Sequence, residues 1–358
     1  MSKQRTMAVL TEIHETSEQP SFGSIHHFCE ELAAYAKKRD LFFYVSSPTL
    51  YLEGVGYQRT ESGWVKRGVP SADVVYNRLH SRKFERSPLF AELLAQLAKE
   101  NGSMFNHRFL HKWEVHCHFE RHEYLHPYLP KTALWSGKDA LEAFLGAFPS
   151  VFLKPIHGSQ GRGIFCLERS DGGICLRHST SASTAVYRSF DALASALQQH
   201  IRTPMIIQQG LELRTLDGRP VDFRLLCHRV RHNDWRVTSA VARIAPPGQF
   251  VANLARGGEL MAVNDVLRKW YTRVDAFQHK QLLKDIALEA ASVLALEAEG
   301  LYGEFGIDLA IDIHGQPWII EVNTKPSKQT DAAAPYQTIR PSTKAIIDYS
   351  LTLMEEKE

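Results

Sequence analysis

The chain reads as an α/β protein in which a parallel strand–helix–strand unit is followed by a long series of antiparallel strands. Three observations predict this. Two apolar runs flank an amphipathic helix near the N-terminus, a glycine-rich loop joins two apolar runs near residue 158, and two apolar runs near the C-terminus alternate with oxygen-bearing side chains.

Residues 7–10 make a first strand. Residues 24–38 place Ile25, Phe28, Cys29, Leu32 and Ala36 at helical spacing, and residues 41–45 are continuously apolar. Strand, helix, strand in that order predicts a parallel βαβ unit. A strand over 73–76 and a helix over 88–99 extend it, giving a first domain over residues 1–105. This domain contains no glycine-rich phosphate motif, and Asn77-Arg78 reads chiefly as a capped turn, the alternative being a pair that reaches the substrate cleft.

The next segment runs Val151-Phe152-Leu153-Lys154-Pro155, then Gly158-Ser159-Gln160-Gly161-Arg162-Gly163, then Ile164-Phe165-Cys166-Leu167. Gly158 and Gly163 have the spacing of a Walker loop, but Ile164 and Phe165 stand where Lys and Ser or Thr would be needed. A dinucleotide fingerprint fails as well, since no helix-forming run follows Gly163. What remains is a β-hairpin lid. Its backbone N–H groups around Ser159, Gln160 and Gly161 can cover phosphates, with Lys154 at its base as a point charge.

Residues 205–210 follow as a strand bearing Gln208 and Gln209, and Asp217-Gly218 marks a tight turn. Along the strand Val221-Asp222-Phe223-Arg224-Leu225-Leu226, Asp222 and Arg224 share one face. After a turn at Asn233-Asp234, a strand over 237–244 carries Arg243. Two arginines on neighbouring strands can clamp a transferring phosphoryl group, because guanidinium forks match phosphate oxygens. The loop Asn253-Leu254-Ala255-Arg256-Gly257-Gly258 lets backbone approach a ligand closely.

The C-terminal pair of strands, Ile307-Asp308-Leu309-Ala310-Ile311-Asp312 and Trp318-Ile319-Ile320-Glu321-Val322-Asn323, is joined at a His314-Gly315 turn. Period-two alternation puts Glu321 and Asn323 on one face, and the hairpin brings Asp308, Asp312 or both toward them. An oxygen set without Cys or a His pair suits Mg²⁺ or Mn²⁺. The spacing does not choose between the two aspartates. A closing helix is expected over 343–354.

The order of these segments resembles the ATP-grasp superfamily. The wording Phe-Leu-Lys-Pro with Gly-Ser-Gln-Gly-Arg-Gly-Ile, Gly-Glu-Phe-Gly-Ile-Asp, and Trp-Ile-Ile-Glu-Val-Asn-Thr-Lys-Pro is most similar to its YheC/YheD group of endospore coat-associated proteins. The resemblance covers residues 105–330. It implies an α/β (α+β) fold: an N-terminal pre-ATP-grasp βαβ domain, then a two-subdomain ATP-grasp fold with antiparallel sheets over 106–358. Within that fold it implies a lid subdomain over 130–205 and a metal and catalytic subdomain over 206–345.

Position by position, the resemblance implies that Lys154, with Lys112 as partner, holds the α/β-phosphates of ATP. It puts Gln208 and Gln209 at the adenine-edge hinge, where an acid is common instead of Gln209, and Asp222 on the ribose hydroxyls. Arg224 and Arg243 face the γ-phosphate or an acyl phosphate. Asp308, rather than Asp312, joins Glu321 and Asn323 around two Mg²⁺ or Mn²⁺ ions. Asn253, Gly257, Gly258 and Lys325 are where acid groups of a substrate would dock.

The implied activity is an ATP-dependent carboxylate–amine or carboxylate–thiol ligase that makes an acyl phosphate and ADP from a small-molecule or peptide carboxylate. Such chemistry asks mainly for positioning and charge neutralisation, so the absence of a nucleophile–base triad is no objection. One alternative is an ATP-binding spore-coat-associated protein without turnover. The other is a zinc hydrolase through His122-Glu123-Tyr124-Leu125-His126, which matches HExxH. Pro127 argues against the latter, since the residue before proline is pushed out of the helical region.

At 358 residues the chain is long enough for two or three cores. Its 42 basic and 40 acidic residues leave a net charge of +2, which predicts no nucleic-acid partner. Cys29, Cys117, Cys166, Cys175 and Cys227 lack CxxC spacing and are expected to be free thiols in a reducing, cytoplasmic compartment. The apolar stretch after Met1 is too short for a signal peptide or membrane anchor.

Overall fold

A computed structural model describes residues 4–15, 19–158, 161–180, 184–231, 234–249, 257–328 and 339–357. Three sheets organise these residues.

The first sheet has the order β4-β3-β2-β1-β5-β6, built from β1 (Thr6–Leu10), β2 (Phe42–Ser46), β3 (Val55–Thr60), β4 (Gly63–Gly68), β5 (Val74–Asn77) and β6 (Ser103–Phe105). Its β1, β2, β5 and β6 pair in parallel, as the βαβ reading requires, and β3–β4 is an added antiparallel hairpin. Helix α1 (His26–Lys38) buries Phe28, Cys29, Leu32 and Ala36, the expected apolar stripe, against one face. Two more helices belong to this unit: the short α2 (Pro48–Leu52) and α3 (Pro88–Lys99). Helix α3 starts where Ser87 caps the Phe90 N–H and Pro88 occupies the first turn, and it covers the other face through Phe90, Leu93 and Leu97.

The second sheet follows the short helix α4 (Lys112–Glu120). It has the order β11-β10-β9-β8-β12-β7 and is wholly antiparallel. Its members are β7 (Thr132–Leu134), β8 (Ser150–Pro155), β9 (Phe165–Ser170), β10 (Gly173–His178), β11 (Thr184–Tyr187) and β12 (Met205–Gln209). Helices α5 (Lys138–Ala147) and α6 (Phe190–His200) bury Leu141, Leu145, Leu193 and Leu197 on one face.

The third sheet has the order β16-β15-β14-β17-β18, with β13 (Thr215–Leu216) paired to β14. Its strands are β14 (Arg219–Arg231), β15 (Asp234–Ile244), β16 (Glu259–Ala262), β17 (Glu304–Ile311) and β18 (Pro317–Asn323). The β13–β14 turn is the expected Asp217-Gly218, with φ of 53° and 72°, the left-handed pair that such a hairpin demands. Helices α7 (Val263–Trp270) and α8 (Arg273–Glu297) pack on the face that carries Phe223, Leu225, Ile307 and Leu309. The final helix, α9 (Pro341–Glu355), sends Ile346, Ile347, Tyr349 and Leu351 into the core that α1 shares with the first sheet. The C-terminus therefore returns to the N-terminal unit. Among the described residues no helix is long and apolar enough to cross a membrane.

All five cysteines are free thiols. His122, Glu123 and His126 do not form the helix that HExxH zinc binding needs. Residues Glu123–Tyr128 are a 3-10 helix containing Pro127, and His122 precedes it in extended geometry. His122 Nε2 lies 3.0 Å from Glu297 Oε1 while His126 Nε2 lies 2.9 Å from the Glu120 carbonyl, so the two imidazoles diverge.

Candidate active site

Strand register does most of the assembly. On β14, Asp222 and Arg224 alternate with Phe223 and Leu225, so packing the apolar pair against α8 turns the charged pair to the opposite face. Across the ladder Asp222 is opposite Arg243 and Arg224 is opposite Asp308. Asp308 is in turn opposite Glu321, and Gly306 is opposite Asn323. Four neighbouring strands thus present acids and bases in one patch.

The side chains close the pattern. Arg243 donates from Nε and Nη2 to the two oxygens of Asp222 at 2.5 and 2.8 Å, and its Nη2 lies 3.0 Å from Asp308 Oδ2. Arg224 forks onto Asp308, with Nε on Oδ1 and Nη2 on Oδ2 at 2.8 Å. Gly306 makes room for this arrangement, since a Cβ there would lie 2.8 Å from Pro326 Cβ and 3.2 Å from Arg224 Nη1. Burial opposes ionisation of Asp308, yet the guanidiniums of Arg224 and Arg243 outweigh it and hold the carboxyl below its usual range. At Asp222 burial wins and the carboxyl is pushed up despite Arg243.

Lys112 opens α4, whose start is fixed by a capping box between His111 and Glu114. A lysine in the first helical turn works against the helix dipole by about 0.3–1 kcal/mol. Glu321 offsets this, accepting from Lys112 Nζ at 2.8 Å, and the Gly158 carbonyl accepts from the same ammonium at 2.7 Å. Lys112 therefore joins the lid root to β18.

Lys154 projects from β8, half-buried, with Nζ 2.5 Å from Gln208 Oε1; Gln208 Nε2 donates to Thr132 Oγ1 at 2.9 Å. Burial pushes the Lys154 ammonium down to about 8, against the pull of Glu321 and aided by the like charge of Lys112. Lys112, Lys154, Gln208 and Glu321 line one cleft together with Leu129, Ile206, Ile319 and Ile320, a space of about 490 Å³ including its open mouth. A mostly apolar slot that also carries two lysines suits a flat heterocycle that bears phosphates.

Several expectations need correcting or refining. Gln208 lines the cleft, but its amide is engaged in orienting Lys154. Gln209 accepts the Lys131 N–H at 3.2 Å through its side chain. Both Asp222 oxygens accept from Arg243, so Asp222 orients that arginine, while each oxygen keeps a lone pair for a further donor. Asp312 is a turn residue: it accepts N–H bonds from His314, Gln316 and the Trp318 indole, each at 2.9 Å.

Lys325 is buried away from the cleft, 2.5 Å from Glu85 Oε1 and 3.0 Å from the Leu79 carbonyl, and so ties β18 to the N-terminal unit. Gly257, with φ of 90°, and Gly258 lead into β16, whose Leu260 is opposite Arg243. Gly161 and Gly163 take φ of 65° and 69°, which only glycine adopts readily. Ser159, Gln160 and Asn253 lie outside the described residues.

Sequence reasoning missed Thr132 and Glu304. Glu304 is fully buried at the start of β17. Its Oε1 accepts from Tyr76 at 2.5 Å, Arg78 at 2.8 Å and Asn106 at 2.9 Å, while Oε2 faces Lys328 and His228. Arg78 also donates to the Pro326 carbonyl at 3.0 Å, so it pins the chain beyond β18 rather than entering the cleft.

The oxygen set fits a hard cation. Asn323 Nδ2 lies 3.4 Å from Asp308 Oδ2; among the described residues the Asn323 side-chain oxygen has no donor and Asp308 Oδ1 accepts only from Arg224, so lone pairs remain. Glu321 stands beside them with Oε1 on Lys112.

The three sheets and the cleft between the second and third define an ATP-grasp protein. A structure of the D-cycloserine synthetase DcsG superposes with a TM-score of 0.56 at 12% identity, covering 99% of this chain and 100% of that one. The ATP-grasp ligase PsnB complexed with minimal precursor, Mg and ADP gives 0.53 at 14% identity over 97% and 98%. The profile of the YheC/D like ATP-grasp family matches residues 101–353, and the chain belongs to that family. The endospore coat-associated protein YheD of Bacillus subtilis (strain 168) is 33% identical over 282 residues, which are 77% of this chain and 61% of YheD. The chain thus spans less than two thirds of that relative.

Proposed function

We propose that the protein is an ATP-dependent ligase that activates a carboxylate as an acyl phosphate and passes it to an amine or thiol, releasing ADP and phosphate. The observation that carries this reading is the chain of charges from Arg243 through Asp308 to Glu321 and Lys112, with Glu321, Lys112 and Lys154 lining a largely apolar slot. In it Lys112 and Lys154 neutralise the α/β-phosphates, and the glycine-rich segment after Gly158 covers them. Arg243 and Arg224 face the transferring phosphoryl group, each positioned by Asp222 or Asp308.

Asp308, Glu321 and Asn323 would hold Mg²⁺, which supplies charge neutralisation to the phosphate oxygens. With the donors fixed by strand pairing, little reorganisation is needed as charge moves from the carboxylate to the phosphoryl oxygens. The solved neighbours act on a peptide precursor in one case and make a small molecule in another, so the acid is a small molecule or a peptide. The free thiols suit a reducing interior, and the likeness to YheD adds association with the spore coat.

The test is ADP release from ATP across a panel of carboxylates and amines. The expected result is release that needs both partners and yields ADP rather than AMP. Turnover of ATP to AMP, or tight nucleotide binding with no release across the panel, would replace the ligase by another activity or by a nucleotide-binding role.

A further inference from the structure

The N-terminal unit contributes a second group of cations that the nucleotide reading does not use. Arg82 and Arg86 sit in and just before the 3-10 turn Phe84–Arg86 between β5 and α3. Arg82 donates through Nη1 to the His157 carbonyl at the lid root and lies 5.0 Å from the centre of the Phe109 ring. His157 and His111 meet edge to face with centroids 5.2 Å apart, and Lys112 follows His111 directly. Four cationic or protonatable groups therefore gather where the N-terminal unit, the start of α4 and the lid root meet, and Arg86 ends the turn that follows Arg82.

The acids nearby are already engaged. Glu85 accepts from Lys325 at 2.5 Å and from the Phe109 N–H at 2.9 Å. Glu114 forks onto Arg108 at 3.0 and 2.5 Å, and Glu321 takes Lys112 at 2.8 Å. Among the described residues neither Arg82 nor Arg86 has an acid within ion-pair distance. The excess charge is felt locally. Burial, reinforced by Arg82 and Arg86, pushes the imidazoles of His111 and His157 below their usual range, while Glu114 partly offsets this at His111.

We infer that Arg82 and Arg86, with His111 and His157, form a receptor for an anionic group of the acid substrate, a carboxylate or phosphate separate from the nucleotide's own phosphates. This rests on the ligase reading for its biological sense but not for its test. It makes the substrate a diacid or a phosphorylated acid: one carboxylate reaches the transferring phosphoryl group and the second anion is held by the guanidinium forks of the N-terminal unit. The N-terminal unit then selects the acid, while the second and third sheets hold the nucleotide.

The test uses the full chain with saturating Mg·ADP and two probes, glutarate and glycerol 3-phosphate, followed by calorimetry and by the imidazole NMR signals of His111 and His157. At least one probe is expected to bind with ADP present and to raise the titration midpoint of both histidines; the probe that binds distinguishes carboxylate from phosphate. The Arg82→Gln/Arg86→Gln variant should weaken that probe at least tenfold with ADP affinity held within about twofold. Arg82→Lys/Arg86→Lys, which keeps the charge, should recover part of the loss. Probe binding abolished by ADP, or equal in wild type and the glutamine variant, overturns the proposal. A chain that fails to bind ADP but still binds the probe through Arg82 and Arg86 keeps this site and removes the nucleotide reading instead.

Discussion

Arg243→Ala is expected to lower turnover at least a hundredfold while nucleotide affinity changes only a few-fold. Removing one preorganised donor from a developing anion costs about 2.7–4 kcal/mol of barrier. On the proposed reading Arg243 faces that anion, and its contacts are to Asp222 and Asp308 rather than to the lining of the cleft. The variant also leaves two buried carboxylates facing each other. Asp222, already raised to about 6 by burial, loses its guanidinium partner and should then take up a proton near neutral pH, which limits the structural damage.

Arg243→Lys keeps a charge but cannot fork onto Asp222 and reach Asp308 together, so it should recover only part of the rate. Steady-state kinetics with nucleotide binding measured on the same preparations checks this. Normal turnover with weak nucleotide binding would move Arg243 out of the transfer step.

The second large effect concerns folding. Glu304→Ala should destabilise the chain by about 3–5 kcal/mol, because Arg78, Lys328 and His228 would lose the buried carboxylate that they share. These partners come from the first sheet's connections, from β14 and from the chain beyond β18. The loss should therefore appear as a lower denaturant midpoint for the whole molecule.

The positive groups around Glu304 overcome burial and hold its carboxyl well below the ordinary 4.5. The stability it supplies is therefore complete above pH 4.5 and erodes as the pH falls through the depressed folded value. Glu304→Gln should remove that acid dependence. An unchanged midpoint in Glu304→Ala would show that the network is replaceable.

The fold was legible wherever a local period expressed it. The alternation along 221–226 and 318–323, the stripe through Phe28, Leu32 and Ala36, and the Asp217-Gly218 turn all correspond to observed elements, because one buried face imposes the pattern. The grouping of Lys112, Lys154, Arg224, Arg243, Asp308, Glu321 and Asn323 followed from family likeness together with strand parity.

What stayed hidden depends on partners far away in the chain. Nothing near Gln208 announces that Thr132 and Lys154 will share its amide. Lys325 looked available because Glu85, 240 residues earlier, gave no local sign of meeting it. Asp312 reads as a ligand until the turn N–H groups that it caps are seen. One signal was present and unused: Glu304 heads the strand Glu-Phe-Gly-Ile-Asp-Leu-Ala-Ile, which is buried at every position. An acid in such a strand must be paired.

The most direct test of a phosphate-binding cleft needs no knowledge of the acid. Calorimetric titration of Mg·ADP into the full chain and into Lys154→Met, at pH 7 and pH 9, reads whether the cation lining the slot meets the phosphates. With the Lys154 ammonium at about 8, the charge is present below that pH and is lost above it. Wild type should bind Mg·ADP at pH 7 and weaken by up to about tenfold at pH 9. Lys154→Met should bind roughly ten- to a hundredfold more weakly at pH 7, the scale of a charged hydrogen bond, and should lose that pH dependence. Wild type that takes up no Mg·ADP at pH 7, or that binds it as tightly with Met at position 154, would contradict the account.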